Sequence, residues 1–123
     1  MTEHGADGRG VHRWYARPVF FVSDVQRSLR FYIEMLGFVK QWPEGDEGTV
    51  CQVHRNDCEI ILCQDGARRD KSRLFIELSA EGIAELRGEV VARSIPHREM
   101  WWGYDSLLIE DPDGNELIVP VVV

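Results

Sequence analysis

The residue types able to do chemistry in this chain are scattered, and their spacing decides which of them could act together. His54 and His97 are candidate acid–base groups, but no spacing ties either to a partner, so both read as hairpin or surface histidines. Cys51, Cys58 and Cys63 contain no C-x-x-C pair and are odd in number, which excludes a disulfide framework and a zinc knuckle. Without an activating base beside them, they are expected as reduced thiols, Cys51 and Cys63 as small core residues. Asp111, Asp113 and Asn115 are spaced like the start of a calcium loop. Pro112, Gly114 and the lack of Glu at the twelfth position make them turn residues instead. Two features remain. Arg17 is a planar fork that could clamp a carboxylate or phosphate, or pair with Glu77 as a structural ion pair. Trp42, Trp101, Trp102 and Tyr104 make a short chain unusually aromatic, which suits stacking and cation–π contact with flat or cationic ligands.

The elements that must position these residues follow from periodicity. Residues 16–22 (ARPVFFV) are β-branched and aromatic, as a buried strand requires. Ser23 and Asp24 supply N-cap chemistry, and Val25, Leu29, Tyr32, Ile33 and Leu36 recur at helical spacing up to Gly37. Strands are predicted at 38–42, 49–54 and 58–64, the last two forming a hairpin around Arg55-Asn56-Asp57. The polar stretch 65–72 is the natural joint. Beyond it the pattern returns: strand 74–79, helix 81–93 with Ile83, Leu86 and Val90 on one face, then strands 97–101, 105–110 and 115–119. Both halves read strand–helix–strand–strand–strand. The expected organisation is a frayed tail over residues 1–15 and a single domain over 16–123, with a first module at 16–64, a linker at 65–73 and a second module at 74–120.

Composition narrows the partners. A chain of 123 residues with 44% apolar and 28% charged residues is one ordinary globular domain. The net charge of −7 argues against nucleic acid. No apolar run is long enough to span a membrane and the N-terminus has no signal-peptide core, so a cytoplasmic location is expected.

Two segments resemble a known family. VSDVQRSLRFYIEMLGF (22–38) is similar to the pattern V-x-D-x-x-x-S-x-x-F-Y-x-x-x-L-G-F, and DPDGNELI (111–118) to the closing hairpin D-P-D-G-N, of the vicinal oxygen chelate superfamily. That superfamily includes glyoxalase I, extradiol dioxygenases and bleomycin-resistance proteins. The resemblance implies an α+β fold of two paired β-α-β-β-β modules forming an open, curled mixed sheet, a half-barrel, around a cavity. It also implies homodimers whose grooves are built from both chains.

Metalloenzymes of the superfamily carry one His, Glu or Gln ligand on each of four strands. Transferred by register, those positions fall on Arg17, Leu62, Phe75 (or Leu74 after a slip) and Ile118, none of which is a metal donor. A metal-free protein of the bleomycin-resistance type is therefore expected, with no cofactor and a small, aromatic or cationic ligand. Its groove would be lined by Arg17, Trp42, Leu62, Phe75, Glu77, Trp101, Trp102, Tyr104 and Ile118. Bleomycin-resistance proteins resemble the Trp102-Gly103 segment, which lies at the mouth of their groove. Alternation along a strand turns Trp101 and Trp102 opposite ways, so one is expected buried and the other in the mouth. The alternative is an enzyme, either a metalloenzyme using Glu59, Glu77, Glu116 and His97 or a metal-free lyase or isomerase with Glu77 or Glu116 as base. Strand parity speaks against the first, since Glu59 should face opposite to Leu62, away from the cavity. An interaction subunit with a filled cavity is a third reading.

Overall fold

The computed structural model describes residues 13–45, 48–68 and 70–121. Two four-stranded mixed sheets result, not closed into a barrel, as the two-module reading predicts. The first holds β1 (Val19–Val22), β2 (Val39–Trp42), β3 (Val50–Arg55) and β4 (Cys58–Gln64), in the order β1-β4-β3-β2. The second holds β5 (Arg73–Phe75), β6 (His97–Trp101), β7 (Asp105–Glu110) and β8 (Glu116–Pro120), in the order β5-β8-β7-β6. In each sheet the first strand runs parallel to the last, and the other pairs are antiparallel. The helix of each module links the two edge strands of its sheet: α1 (Val25–Arg30) carries the chain from β1 to β2, and α2 (Ala80–Ala92) from β5 to β6.

Local chemistry explains both helices. Asp24 caps α1 by accepting from the backbone N–H groups of Gln26 and Arg27, and Ser79 caps α2 through Gly82. A π-helical turn (Phe31–Met35) continues α1 and ends at Gly37, whose φ of +71° only glycine adopts without strain. Ile83, Leu86 and Val90 form the buried stripe of α2, as periodicity predicts.

One face of each sheet joins a common core. Phe20, Val22, Val53, Ile60 and Leu62 of the first sheet meet Leu107, Ile109, Leu117 and Val119 of the second, with Tyr32, Phe38, Leu86 and Val90 between. Paired residues share a face, so the opposite faces follow from the registers. In the first sheet that open face carries Val19, Phe21, Val39, Trp42, Val50, Gln52, His54, Glu59, Ile61 and Cys63. Val19, Val39 and Val50 are exposed there.

The two motif segments bind each other. The Tyr32 hydroxyl donates to Asp111 Oδ2 at 3.0 Å, and Asp111 also accepts from the Asp113 and Asn115 backbones and the Asn115 side chain. Asn115 Nδ2 reaches the Phe21 carbonyl at 3.1 Å, and Asp113 Oδ1 accepts from the Ser23 backbone at 3.0 Å. A second clamp joins the modules from the other end. Arg55, at the tip of β3, donates to Glu89 through both terminal nitrogens, to Glu85, and to the Leu36 carbonyl. The hydrogen bonds to Arg55 hold the Glu89 carboxyl below its ordinary range, against its partial burial.

Candidate functional site

The open face of the first sheet is organised around Gln52, which is 1% exposed. Arg17 Nη1 and Trp42 Nε1 both donate to Gln52 Oε1, the latter at 3.0 Å, and the Gln52 amide donates to Gln41 Oε1. The Arg17 guanidinium also lies over the Tyr15 ring, 5.2 Å from its centroid. Arg17 is thus held against a buried amide and a ring while its side of the strand stays exposed. It does not pair with Glu77, which belongs to the other module.

Glu59 occupies the same face. Val19 pairs with Ile61, so two residues back Glu59 lies level with Arg17, and it pairs across the hairpin with His54. Its Oε1 is buried with no hydrogen-bond partner among the described residues. Strand parity, used on the sequence to turn Glu59 outward, had been anchored on Leu62. That anchor is wrong: Leu62 is 0% exposed and belongs to the common core beneath the sheet. Ile61 and Glu59 face the open side in its place.

The second sheet carries an aromatic cluster. The Phe75 ring lies 5.5 Å from Trp102 and 6.2 Å from Tyr104, centroid to centroid. Phe75 pairs with Ile118, which pairs with Leu108, and both aliphatic residues are buried outside the common core cluster. The turn that presents the rings closes through the Trp102 N–H to the Tyr104 carbonyl at 2.8 Å, with Gly103 at φ +74°. Trp101 points the other way, sharing a face with Glu99, which pairs with Arg87 of α2. Neither tryptophan is buried, with 43% of Trp102 and 73% of Trp101 exposed. The expected burial of one fails because the helix reaches only the inner part of that face.

Glu77 leaves the predicted face as well. β5 stops at Phe75, so alternation does not carry through to residue 77, and Glu77 lines a cavity between the modules with Ile76 and Leu78. Among the described residues no hydrogen bond, ion pair or ring contact links Arg17, Gln52 or Trp42 to Phe75, Trp102 or Tyr104. Within one chain the candidate residues therefore form two separate clusters. Gln52 was missed from the sequence, and Glu59 entered only as a metal ligand of the enzyme alternative, turned away from the cavity by parity. The available signal was a glutamine flanked by Cys51 and Val53 in a strand otherwise suited to a core.

The positions transferred from the superfamily's metalloenzymes do not make a metal-ligand set. Arg17, Phe75 and Ile118 offer no donor, and the Glu116 carboxylate is engaged by Arg73 at 2.6 Å and Arg98 at 3.9 Å. Among the described residues no three His, Cys, Asp or Glu side chains converge. The Cys51 and Cys58 thiols are poor nucleophiles: burial raises Cys51 and pushes Cys58 up to about 11.

This geometry can be set beside known proteins. The family model of the glyoxalase/bleomycin resistance protein/dioxygenase superfamily matches residues 14–119. A bleomycin resistance protein of Geobacillus stearothermophilus is 25% identical, the match covering 80% of this chain and 89% of that one. Among solved structures, the bleomycin-binding protein of bleomycin-producing Streptomyces verticillus, complexed with copper(II)-bleomycin, superposes with a TM-score of 0.71. It is 20% identical and the match covers 92% of this chain and 99% of that one. Lactoylglutathione lyase from Agrobacterium tumefaciens shares the fold at a TM-score of 0.68 and 17% identity, covering 85% and 91%. The match over both modules, with the two motif segments bonded to one another, makes this chain a member of the glyoxalase/bleomycin resistance protein/dioxygenase superfamily.

Proposed function

We propose that this chain is a metal-free binding protein of the bleomycin-resistance type that sequesters a small, flat or cationic molecule. The observation that carries this reading is the Phe75–Trp102–Tyr104 cluster, an aromatic wall whose Trp102 and Tyr104 rings are exposed. Such walls hold planar and cationic ligands by stacking, each contact contributing roughly 1 kcal/mol. The buried, unpartnered Glu59 oxygen gives the other half-site an acceptor for a ligand N–H. The polar groups of this site bind and orient. Glu116, a candidate base on the sequence, is neutralised by two arginines, and Glu77 lies away from both half-sites.

Two clusters that do not meet within one chain, with three exposed valines beside one of them and exposed rings in the other, favour a homodimer. In it the first sheet of one copy faces the second sheet of the other and a groove forms between them. Light scattering at micromolar concentration is expected to give twice the 14.2 kDa chain mass, and elemental analysis less than stoichiometric transition metal. A monomer mass, or one equivalent of metal per chain, would overturn those parts of the reading.

The ligand test is a fluorescence titration with bleomycin and a panel of planar and cationic compounds. Saturable quenching is expected in the wild type, weakened about fivefold or more in Trp102→Ala and unchanged in Trp101→Phe. A tight ligand whose affinity ignores both Trp102→Ala and Arg17→Ala would place the groove elsewhere.

A further inference from the structure

A second cavity lies on the opposite side of the sheets, between the two modules, with a volume of about 320 Å³. That is room for a ring with a short chain, at the lower end of small-molecule sites. Its floor is apolar, formed by Leu36, Phe38, Ile76, Leu86, Leu117 and Val119. Its rim is charged, carrying the exposed Asp57, Glu77 and Glu85 and the half-buried Arg55.

The rim charges do not cancel. Arg55 is fully committed, since its guanidinium bonds Glu85, Glu89 and the Leu36 carbonyl. Asp57 and Glu77 have no ion pair or side-chain hydrogen bond among the described residues. An apolar chamber therefore opens past two carboxylates whose charge nothing on the protein meets. The Cys58 thiol on the wall, pushed up to about 11 by burial, stays protonated and adds no charge.

We infer that this inter-module cavity is a second ligand site, selective for small organic cations that bury an apolar body against Phe38, Ile76 and Leu86 and leave an ammonium between Asp57 and Glu77. The site is separate from the open sheet faces and does not depend on what binds there. Apolar burial supplies the affinity, and the rim supplies the choice of charge. An anion would meet both carboxylates and be rejected. A neutral molecule of the same shape would bind without the electrostatic increment.

Three probes that share a phenylethyl body separate these contributions, the first two matched in size: phenethylammonium, 2-phenylethanol and 3-phenylpropanoate. Binding is read from the methyl resonances of Ile76, Leu86 and Val119 in the full-length protein. Phenethylammonium is expected to shift those methyls saturably and to bind about tenfold more tightly than the alcohol, with the carboxylate weakest. The Asp57→Asn/Glu77→Gln double variant should remove that preference and leave the alcohol unaffected. Both side chains are exposed, so the variant keeps its fold. Trp102→Phe should leave the titration of those three cavity methyls unchanged, whatever it does at the open face, which distinguishes this cavity from the open-face groove. Equal affinity for amine and alcohol in the wild type would overturn the charge selectivity. Unshifted cavity methyls at saturating amine would overturn the site.

Discussion

Replacing Asp111 by alanine is expected to cost about 3–5 kcal/mol, the largest loss for any single polar side chain in this protein. Asp111 is buried, and its two oxygens accept four hydrogen bonds, from Tyr32 Oη, the backbones of Asp113 and Asn115, and Asn115 Nδ2. Alanine leaves all of those donors facing an empty space. Tyr32 suffers most, since it is 0% exposed and burial, with the Asp111 charge, keeps its phenol protonated and donating. Asparagine is only a partial replacement. Its NH₂ would face Asn115 Nδ2, which is fixed as a donor because the Asn115 carbonyl oxygen already accepts from Ser72. Thermal unfolding should therefore rank wild type above Tyr32→Phe, then Asp111→Asn, then Asp111→Ala, with a midpoint drop on the order of 10 °C for the last.

The Tyr32→Phe/Asp111→Ala cycle should show a coupling of about 1 kcal/mol. Burial raises the Asp111 carboxyl above the unfolded value of about 3.9, while its hydrogen bonds pull it down. A raised carboxyl contributes most below the unfolded value and loses that increment as pH rises through the folded one, so the Asp111→Ala deficit should be greatest in acid. A loss under about 1 kcal/mol at all pH values would mean the motif is held together by packing alone.

That network changes what the family motif means. Read along the chain, Asp111-Pro112-Asp113-Gly114-Asn115 is a turn and Phe31-Tyr32 is part of a helix, and both readings hold locally. Their shared purpose is tertiary: Asp111 and Asn115 fasten the last hairpin of the second module to the first module's helix and strand. Spacing in sequence carries no trace of a bond across 79 residues. The motif thus belongs to the scaffold, which is why it identifies the fold so well and is mute about ligand.

Elements were legible wherever the pattern was one-sided. The α2 stripe of Ile83, Leu86 and Val90, and the hairpin around Asn56 with its positive φ, follow from periodicity and turn chemistry. Faces were legible only where polar and apolar residues alternate. β4 reads Glu59-Ile60-Ile61-Leu62-Cys63, apolar at three successive positions, so hydrophobicity alone does not say which neighbour looks inward. β5 fails for a different reason, since it ends before Glu77 and parity stops with it. Of the candidate aromatic residues the structure brings together Phe75, Trp102 and Tyr104, because Trp102-Gly103-Tyr104 combines its rings with the turn residue that presents them, while Trp42 and Trp101 lie apart.

The ambiguity in β4 can be resolved experimentally, since the two registers predict opposite mutants. Leu62 lies in the common core between Phe20 and Cys51, its register partners on either side, and has no exposed surface. Leu62→Ala removes buried methyl groups and leaves a cavity the surrounding strands can only partly fill, so urea unfolding should show a loss of about 3 kcal/mol. Ile61 is half-buried on the open face beside Gln52 and Val19, where solvent or a ligand can fill the space. Ile61→Ala should cost nearer 1 kcal/mol and, if the open face binds the ligand, weaken it. The reverse pattern, with Leu62→Ala stable but poor in binding and Ile61→Ala unfolded, would shift β4 by one residue. Such a shift would turn Glu59 into the core and remove the acceptor on which half of the proposed groove depends.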